Sequence, residues 1–352
     1  GMVHIMVTTN LMRRLPKIEL HCHLDGSVRP ATAAEIAEEE GIELSCRDLR
    51  DLTDRMTAPP SCSSLVEYLE RFELPLLLMQ SASSLSRIAF EAAEDAALDN
   101  VRYLEVRFAP HLHTRRGLTV EEVIESVGSG LRAAEQKYGH CVRMILICMR
   151  HHGQMDNEEI VRAAARYYGQ GVVGVDLAGD EAGYPNELHA EVFELADRLG
   201  LPITIHAGEA AGACSIRCAV EKLRARRIGH GVRLQEDAEV TELIRVKGIP
   251  LELCVISNVQ TKAVSCMEAH PIRSYLDSGL LVTVNTDNPT VSGTNQTREY
   301  ENLTRRFRFS AGDIRKVAGH AINAAFVDEE RKRQLRELFE REWSELGLAA
   351  EA

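Results

Sequence analysis

"LPKIELHCHLDGSV", residues 15–28, closes an apolar stretch with two histidines one residue apart, then a carboxylate and a glycine. Residues at i and i+2 of a β-strand share a face, so His21 and His23 aim the same way. Cys22 points to the opposite side and reads as a small apolar residue. Strands with reactive side chains at their C-terminal ends are the units from which parallel α/β folds build their sites. Whether the chain repeats this unit therefore decides the fold.

It does repeat. The runs "KIELHCH", "VRYLEVRF", "VRMILICM", "VVGVDLAG", "PITIHAGE", "RIGHGV", "IPLELCV" and "LVTVNTD" begin near 17, 101, 142, 172, 202, 227, 249 and 281. Between them, "NELHAEVFELADRLG" (186–200) and "DAEVTELIRVKG" (237–248) carry helical periodicity and end in Gly ahead of the next strand. Eight strands alternating with helices predict a (β/α)8 TIM barrel in the α/β class.

From His23 to Val101 is far too long for one crossover. "ATAAEIAEEEG" and "SSLVEYLERFELPLLLMQ" predict extra helices inserted between strands one and two. "EERKRQLRELFEREWSEL" (329–346) predicts a charge-laced C-terminal helical extension with a solvated outer face. No Gly/Ser/Pro-rich linker divides the chain. Residues 1–352 are expected to form a single barrel domain with its core motifs in 15–290, and Gly1 ahead of Met2 reads as a cloning remnant.

Composition narrows the function. The net charge is −12 and basic runs are short, so a polyanion meets a repulsive field and no nucleic-acid partner is expected. Nine cysteines without regular spacing read as reduced thiols, which fits a cytoplasmic protein. The longest apolar run is "LPLLLM" (74–79) and no export pattern stands at the start, so no membrane span or secretion is expected.

In a barrel, chemistry sits at the C-terminal strand ends. There the sequence places His21 and His23 on strand one, His206 with Glu209 on strand five, His230 on strand six, and Asp287 with Asn288 on strand eight. A lone strand histidine is commonly a hydrogen-bonded core residue. Several ionisable groups sharing one mouth are costly to bury without a metal or substrate. Three imidazoles and a carboxylate suit Zn²⁺, one ion per chain, with a coordination position left for a water of pKa about 7. His111, His113, His151 and His152 lie in loop-like sequence and are read as structural.

Taken in order, "PKIELHCHLDGS", "DLAGDE", "HAGEAAG", "RIGHGV", "SNVQT" and "NTDNP" resemble the adenosine deaminase family of the amidohydrolase superfamily. The resemblance implies a zinc-bearing barrel that turns adenosine, and its 2′-deoxy form, into inosine or deoxyinosine plus ammonia in purine salvage. It implies His21, His23, His206 and Asp287 as metal ligands, Glu209 as the acid that protonates purine N1, and His230 as the group that orients or deprotonates the attacking water. By the same resemblance Gly179 N–H meets N3 and Asp25 holds the ribose hydroxyls. A carboxylate there repels a 5′-phosphate and favours a nucleoside. The stripe Leu65, Tyr68, Leu69 and Phe72 matches a helix used as a lid, a pattern that core packing gives equally well.

One position departs from the family. Much of it has Asp-Asp where this chain has Asp287-Asn288, the second residue facing purine N7. An Asn amide donates at any pH, so Asn288 is expected to keep that contact. Competing readings are deamination of another 6-aminopurine nucleoside, such as a 5′-modified one, and a zinc nucleoside-binding protein without turnover. Ester or amide hydrolysis at a binuclear centre is disfavoured because strand four, "VVGVDLAG", has no Lys. The H-x-E with P-C-x-x-C signature of cytidine-type deaminases is absent.

Overall fold

A computed structural model describes residues 9–348, so Gly1 lies outside the described residues. Eight strands follow one another in order: β1 (Lys17–His23), β2 (Val101–Phe108), β3 (Cys141–Met149), β4 (Val172–Ala178), β5 (Thr204–Ala207), β6 (Arg227–His230), β7 (Leu251–Leu253) and β8 (Val282–Val284). All pair in parallel, β1 to β4 in one ladder and β5 to β8 in another. Single bridges join the two ladders, Val175 with Ile203 and Cys22 with Asp287. At the second seam His23 N–H donates to the Asp287 carbonyl at 2.8 Å and Asp287 N–H to the His21 carbonyl at 2.9 Å. The result is the (β/α)8 barrel expected from the alternation.

Strands β1 and β2 have the bounds read from the sequence, whereas β5 to β8 are shorter than the quoted runs. Pro202 and Pro250 have no N–H to give a ladder, so pairing starts after them and uses only their carbonyls, toward Val175 and Ile228. At the other end His230 and Asp287 take left-handed backbone angles, φ 66° and 64°. Non-glycine residues rarely adopt these, and extended pairing stops there. The two strand ends that turn this way both carry site residues.

The helices follow local rules. Helix Val120–Tyr138 starts at a capping box, with Thr119 and Glu122 satisfying each other's backbone N–H groups, and stops at Gly139 with φ 77°. It buries Val123, Ile124, Val127 and Leu131, each worth about 1.5 to 3 kcal/mol of transfer from water. Against helix Ala82–Leu98 it comes so close that a Cβ on Gly130 would lie 2.1 Å from the Ser86 carbonyl oxygen. Only glycine fits that crossing.

The long connection from β1 to β2 holds helices Pro30–Glu40, Leu49–Met56, Leu65–Leu69, Glu73–Leu78 and Ala82–Leu98, the inserted helices that length required. After β8 come Pro289–Ser292, Gln296–Phe307, Ala311–Ala324 and Glu329–Glu345. The last buries Leu335, Phe339 and Trp343, and its charged residues take the outer face. No helix among the described residues is long and apolar enough to cross a membrane.

The barrel interior is ionic. Arg107 reaches Asp176 and Glu252 at 3.0 Å each, and Arg227 reaches Glu252 and Glu105 at 2.7 Å each, all five residues fully or almost fully buried. The Arg227 guanidinium also lies 3.8 Å over the Phe326 ring. Removing one member of such a network leaves an uncompensated buried charge, at about 3 to 5 kcal/mol.

Candidate active site

At the C-terminal mouth a cleft of about 500 Å³ is lined by His23, Asp25, Gly179, His206, Glu209, His230, Asp287 and Asn288. His21 lies beneath it, fully buried. Residues drawn from β1, β4, β5, β6 and β8 thus converge as the strand-end reading required.

Two of the imidazoles are held from behind by carboxylates. His21 Nδ1 is 2.8 Å from Glu252 Oε1, and His206 Nδ1 is 3.0 Å from Asp176 Oδ1. A carboxylate at Nδ1 fixes the proton there and turns the bare Nε2 toward the cleft. His21 Nε2 is buried and makes no hydrogen bond, although Asp287 Oδ1 is 3.0 Å away. His23 Nε2 lies 3.2 Å from the same oxygen and 3.3 Å from His206 Nε2. An orphaned lone pair among imidazoles and a carboxylate is the donor chemistry of a divalent metal site.

Geometry alone brings in one more candidate. The ligand atoms of His21, His206, His230 and Asp287 all lie within 4.8 Å of one another, so His230 competes with His23 for membership. Burial pushes His206 down to about 4, and it holds His230 well below the usual imidazole value. For Asp176, burial would raise the carboxyl, but His206 and Arg107 outweigh it and hold it at about 2. The His206 and His230 rings are neutral and the Asp176 carboxylate behind His206 is charged, as ligation requires.

Glu209 stands on the loop after β5. Its carboxyl is driven well above the usual range, first by burial and then by repulsion from Asp287 and Glu181. Its Oε2 is 3.2 Å from His230 Nε2. Glu181 shapes that loop by accepting from the N–H groups of Gly208, Glu209, Ala210 and Ala211 at 2.8, 3.1, 2.9 and 3.2 Å. Opposite, Ser257 Oγ donates to Asp287 Oδ2 at 2.7 Å. Glu209 is therefore a carboxylic acid ready to donate, set beside a carboxylate held ready to accept.

Around this centre sit the remaining predicted residues. Asp25 occupies the short 3-10 turn Leu24–Gly26 after β1, where burial raises its carboxyl. Gly179 follows β4 with φ 119°, a backbone conformation that favours glycine, and lines the cleft. Asn288 Nδ2 donates to Tyr68 Oη at 2.9 Å, and its Oδ1 is buried without a partner. Tyr68 Oη also lies 2.7 Å from Ser292 Oγ.

The stripe Leu65, Tyr68, Leu69 and Phe72 faces the cleft and is also packed beneath it. All four line the cleft, while Tyr68 and Phe72 pack with Ala58, Cys62 and Val291 in a small cluster apart from the main core. Cys22 faces away from the cleft, its Sγ 3.4 Å from Ser27 Oγ. Of the four histidines set aside, His113 is buried against the Met79 carbonyl at 2.9 Å, and His111 lies 3.4 Å from Glu159. His151, however, lines the cleft.

Sequence reading missed the supports Asp176, Glu252, Arg107, Glu181, Ser257, Asn258 and His270. A charged residue inside an otherwise apolar parallel strand, as in "VVGVDLAG" and "IPLELCV", was the available signal.

With this geometry in hand, comparison with known proteins is specific. A family model described as adenosine deaminase matches residues 16–341. A protein named adenosine deaminase from Clostridium perfringens is 44% identical over 322 residues, 92% of this chain and 97% of the relative. Among solved structures, an adenine deaminase from Arthrobacter aurescens is 28% identical with a TM-score of 0.87, covering 94% of this chain and 99% of the other. An amidohydrolase from Burkholderia ambifaria with bound zinc is 25% identical with a TM-score of 0.88, covering 99% and 96%.

Proposed function

Since the chain belongs to the adenosine deaminase family and deaminates adenosine, we propose that it does so with one zinc ion held by His21, His23, His206 and Asp287. The observation that carries this reading is the orphaned His21 Nε2 facing Asp287 inside a buried group of imidazoles. Neutral imidazole with carboxylate suits zinc, which when bound supplies a water of pKa about 7. His230 is left out of the ligand set because its Nε2 faces Glu209 at 3.2 Å and Asp287 Oδ2 at 3.8 Å.

The remaining roles belong to this chain's own groups. Glu209, kept protonated by burial and by its acidic neighbours, gives its proton to purine N1 and so weakens the ring's resistance to attack at C6. His230 orients the attacking water, and the Asp287 carboxylate takes its proton. Water adds at C6, its released proton passes to the amino group, and ammonia departs as the C6 hydroxyl returns a proton to Glu209, so that adenosine becomes inosine. The Gly179 N–H meets N3, Asp25 takes the ribose hydroxyls, and the second hydrogen of Asn288 Nδ2 serves N7 while the first stays on Tyr68. The leucines and Phe72 over the mouth exclude bulk water. We place the reaction in cytoplasmic purine salvage, supported by nine cysteines that all stand as free thiols.

The test is ammonia release from adenosine by native protein, chelator-stripped protein and Glu209→Gln. Stripping abolishes turnover in this account, and the variant loses roughly 10² to 10⁴ in kcat. Native zinc-loaded protein that binds adenosine and releases no ammonia would identify a binding protein instead.

A further inference from the structure

The proton on His230 is set by a chain of groups that begins at a backbone amide. The Ile272 N–H donates to His270 Nδ1 at 3.1 Å. A main-chain N–H can only donate, so that nitrogen is bare and the His270 proton sits on Nε2. Burial pushes this imidazole down to about 3 and keeps it neutral. His270 Nε2–H then donates to Asn258 Oδ1 at 3.0 Å, which fixes the orientation of the amide. Asn258 Nδ2 is left to donate to His230 Nδ1 at 3.0 Å. His230 therefore carries its proton on Nε2, the atom 3.2 Å from Glu209 Oε2.

Each group in the chain is buried, with His270 at 4%, Asn258 at 0% and His230 at 1% exposure, so a reversed donor would be left unpaired at about 1 to 3 kcal/mol. The parts come from the end of β6 and from the connection between β7 and β8. His230 ends β6, Asn258 lies on helix Val255–Gln260 after β7, and His270 precedes helix Ile272–Asp277. The His270 ring is held edge-on against Phe307, centroids 6.2 Å apart.

We propose that Asn258 and His270 are positioning residues for the deamination: they hold His230 in the Nε2–H tautomer, a donor in the cleft and not a metal ligand. The opposite tautomer turns a lone pair toward the group formed with His21, His206 and Asp287, and His230 becomes a competitor for the metal. This is the physical reason for choosing His23 over His230 as the fourth ligand. The inference rests on the role assigned to His230 above.

Zinc-loaded protein carrying isotope-labelled histidine, read by long-range proton–nitrogen correlation, reports which His230 nitrogen holds the proton. The signals are assigned by their loss in His230→Gln. Expected are a pyrrole-type Nε2 and a pyridine-type Nδ1 in the wild type. The same pattern is expected in His270→Gln, whose amide still donates to Asn258. In Asn258→Asp the pattern reverses, because the carboxylate accepts from Nδ1–H. In kinetics Asn258→Asp loses roughly 10² to 10⁴ in kcat with a far smaller change in KM, while His270→Gln stays within about tenfold. A wild-type His230 protonated on Nδ1 overturns the proposal, as does Asn258→Asp with an unchanged tautomer or unchanged kcat. A wild type that shows Nε2–H yet releases no ammonia from adenosine supports the relay and sinks the catalytic reading instead.

Discussion

Asn288 concentrates the specificity question in one amide. Its Nδ2 is shared between Tyr68 and the position assigned to purine N7, and its Oδ1 has no partner. Asn288→Ala removes one neutral hydrogen bond to the base, worth about 0.5 to 1.5 kcal/mol, so kcat/KM for adenosine should fall roughly 2- to 12-fold. A value within about twofold of wild type would remove Asn288 from base recognition. At this scale the sequence was informative wherever a residue's own chemistry marks it: His21, His23, His206, Glu209, His230 and Asp287 were each found at a strand end. It was silent on partners. Nothing in "SNVQT" announces that Asn258 lies between His230 and a histidine twelve positions further on, since such contacts are made only when β6, β7 and their loops come together.

Elements were legible in proportion to their regularity. Strands β1 and β2 could be bounded to the residue, while β5 to β8 lost residues to prolines at the start and to left-handed turns at the site. The five helices between β1 and β2 were required by length, but periodicity did not decide that Leu65–Leu69 and Glu73–Leu78 face the cleft. Periodicity says which side of a helix is apolar and not what it covers. Helix contact likewise depends on single positions such as Gly130, whose missing side chain leaves room for the Ser86 carbonyl. Gly130→Ala should destabilise by about 1 to 3 kcal/mol, read as a lower urea midpoint with the slope unchanged. Because neither Gly130 nor Ser86 lines the cleft, kcat/KM at a permissive temperature should not move.

Across the whole molecule, buried ionisable groups couple stability to pH. Glu299 is 1% exposed, and burial, reinforced by Glu19 and Asp287, raises its carboxyl from 4.5 to about 8. Between those values the folded chain holds a proton that the unfolded chain has lost, so stability falls as pH rises through the window. Glu299→Gln removes that dependence. The variant should match wild type near pH 4.5 and exceed it by on the order of 2 to 4 kcal/mol above pH 8, as measured by urea unfolding. An equal gap at both pH values would contradict the assignment. The ionic interior and the mouth above it share carboxylates. Glu252 and Asp176 each bridge an arginine below and an imidazole above, so the core that stabilises the barrel also aims the ligands. The central claim is that one zinc in this cluster, with Glu209 as proton donor, turns adenosine into inosine. It is tested most directly by adding zinc back to metal-stripped protein while following ammonia release. The rate should climb in proportion to zinc and level off at one ion per chain, with Glu209→Gln taking up the same zinc without comparable turnover. A rate indifferent to zinc, or a fully active Glu209→Gln, would contradict it.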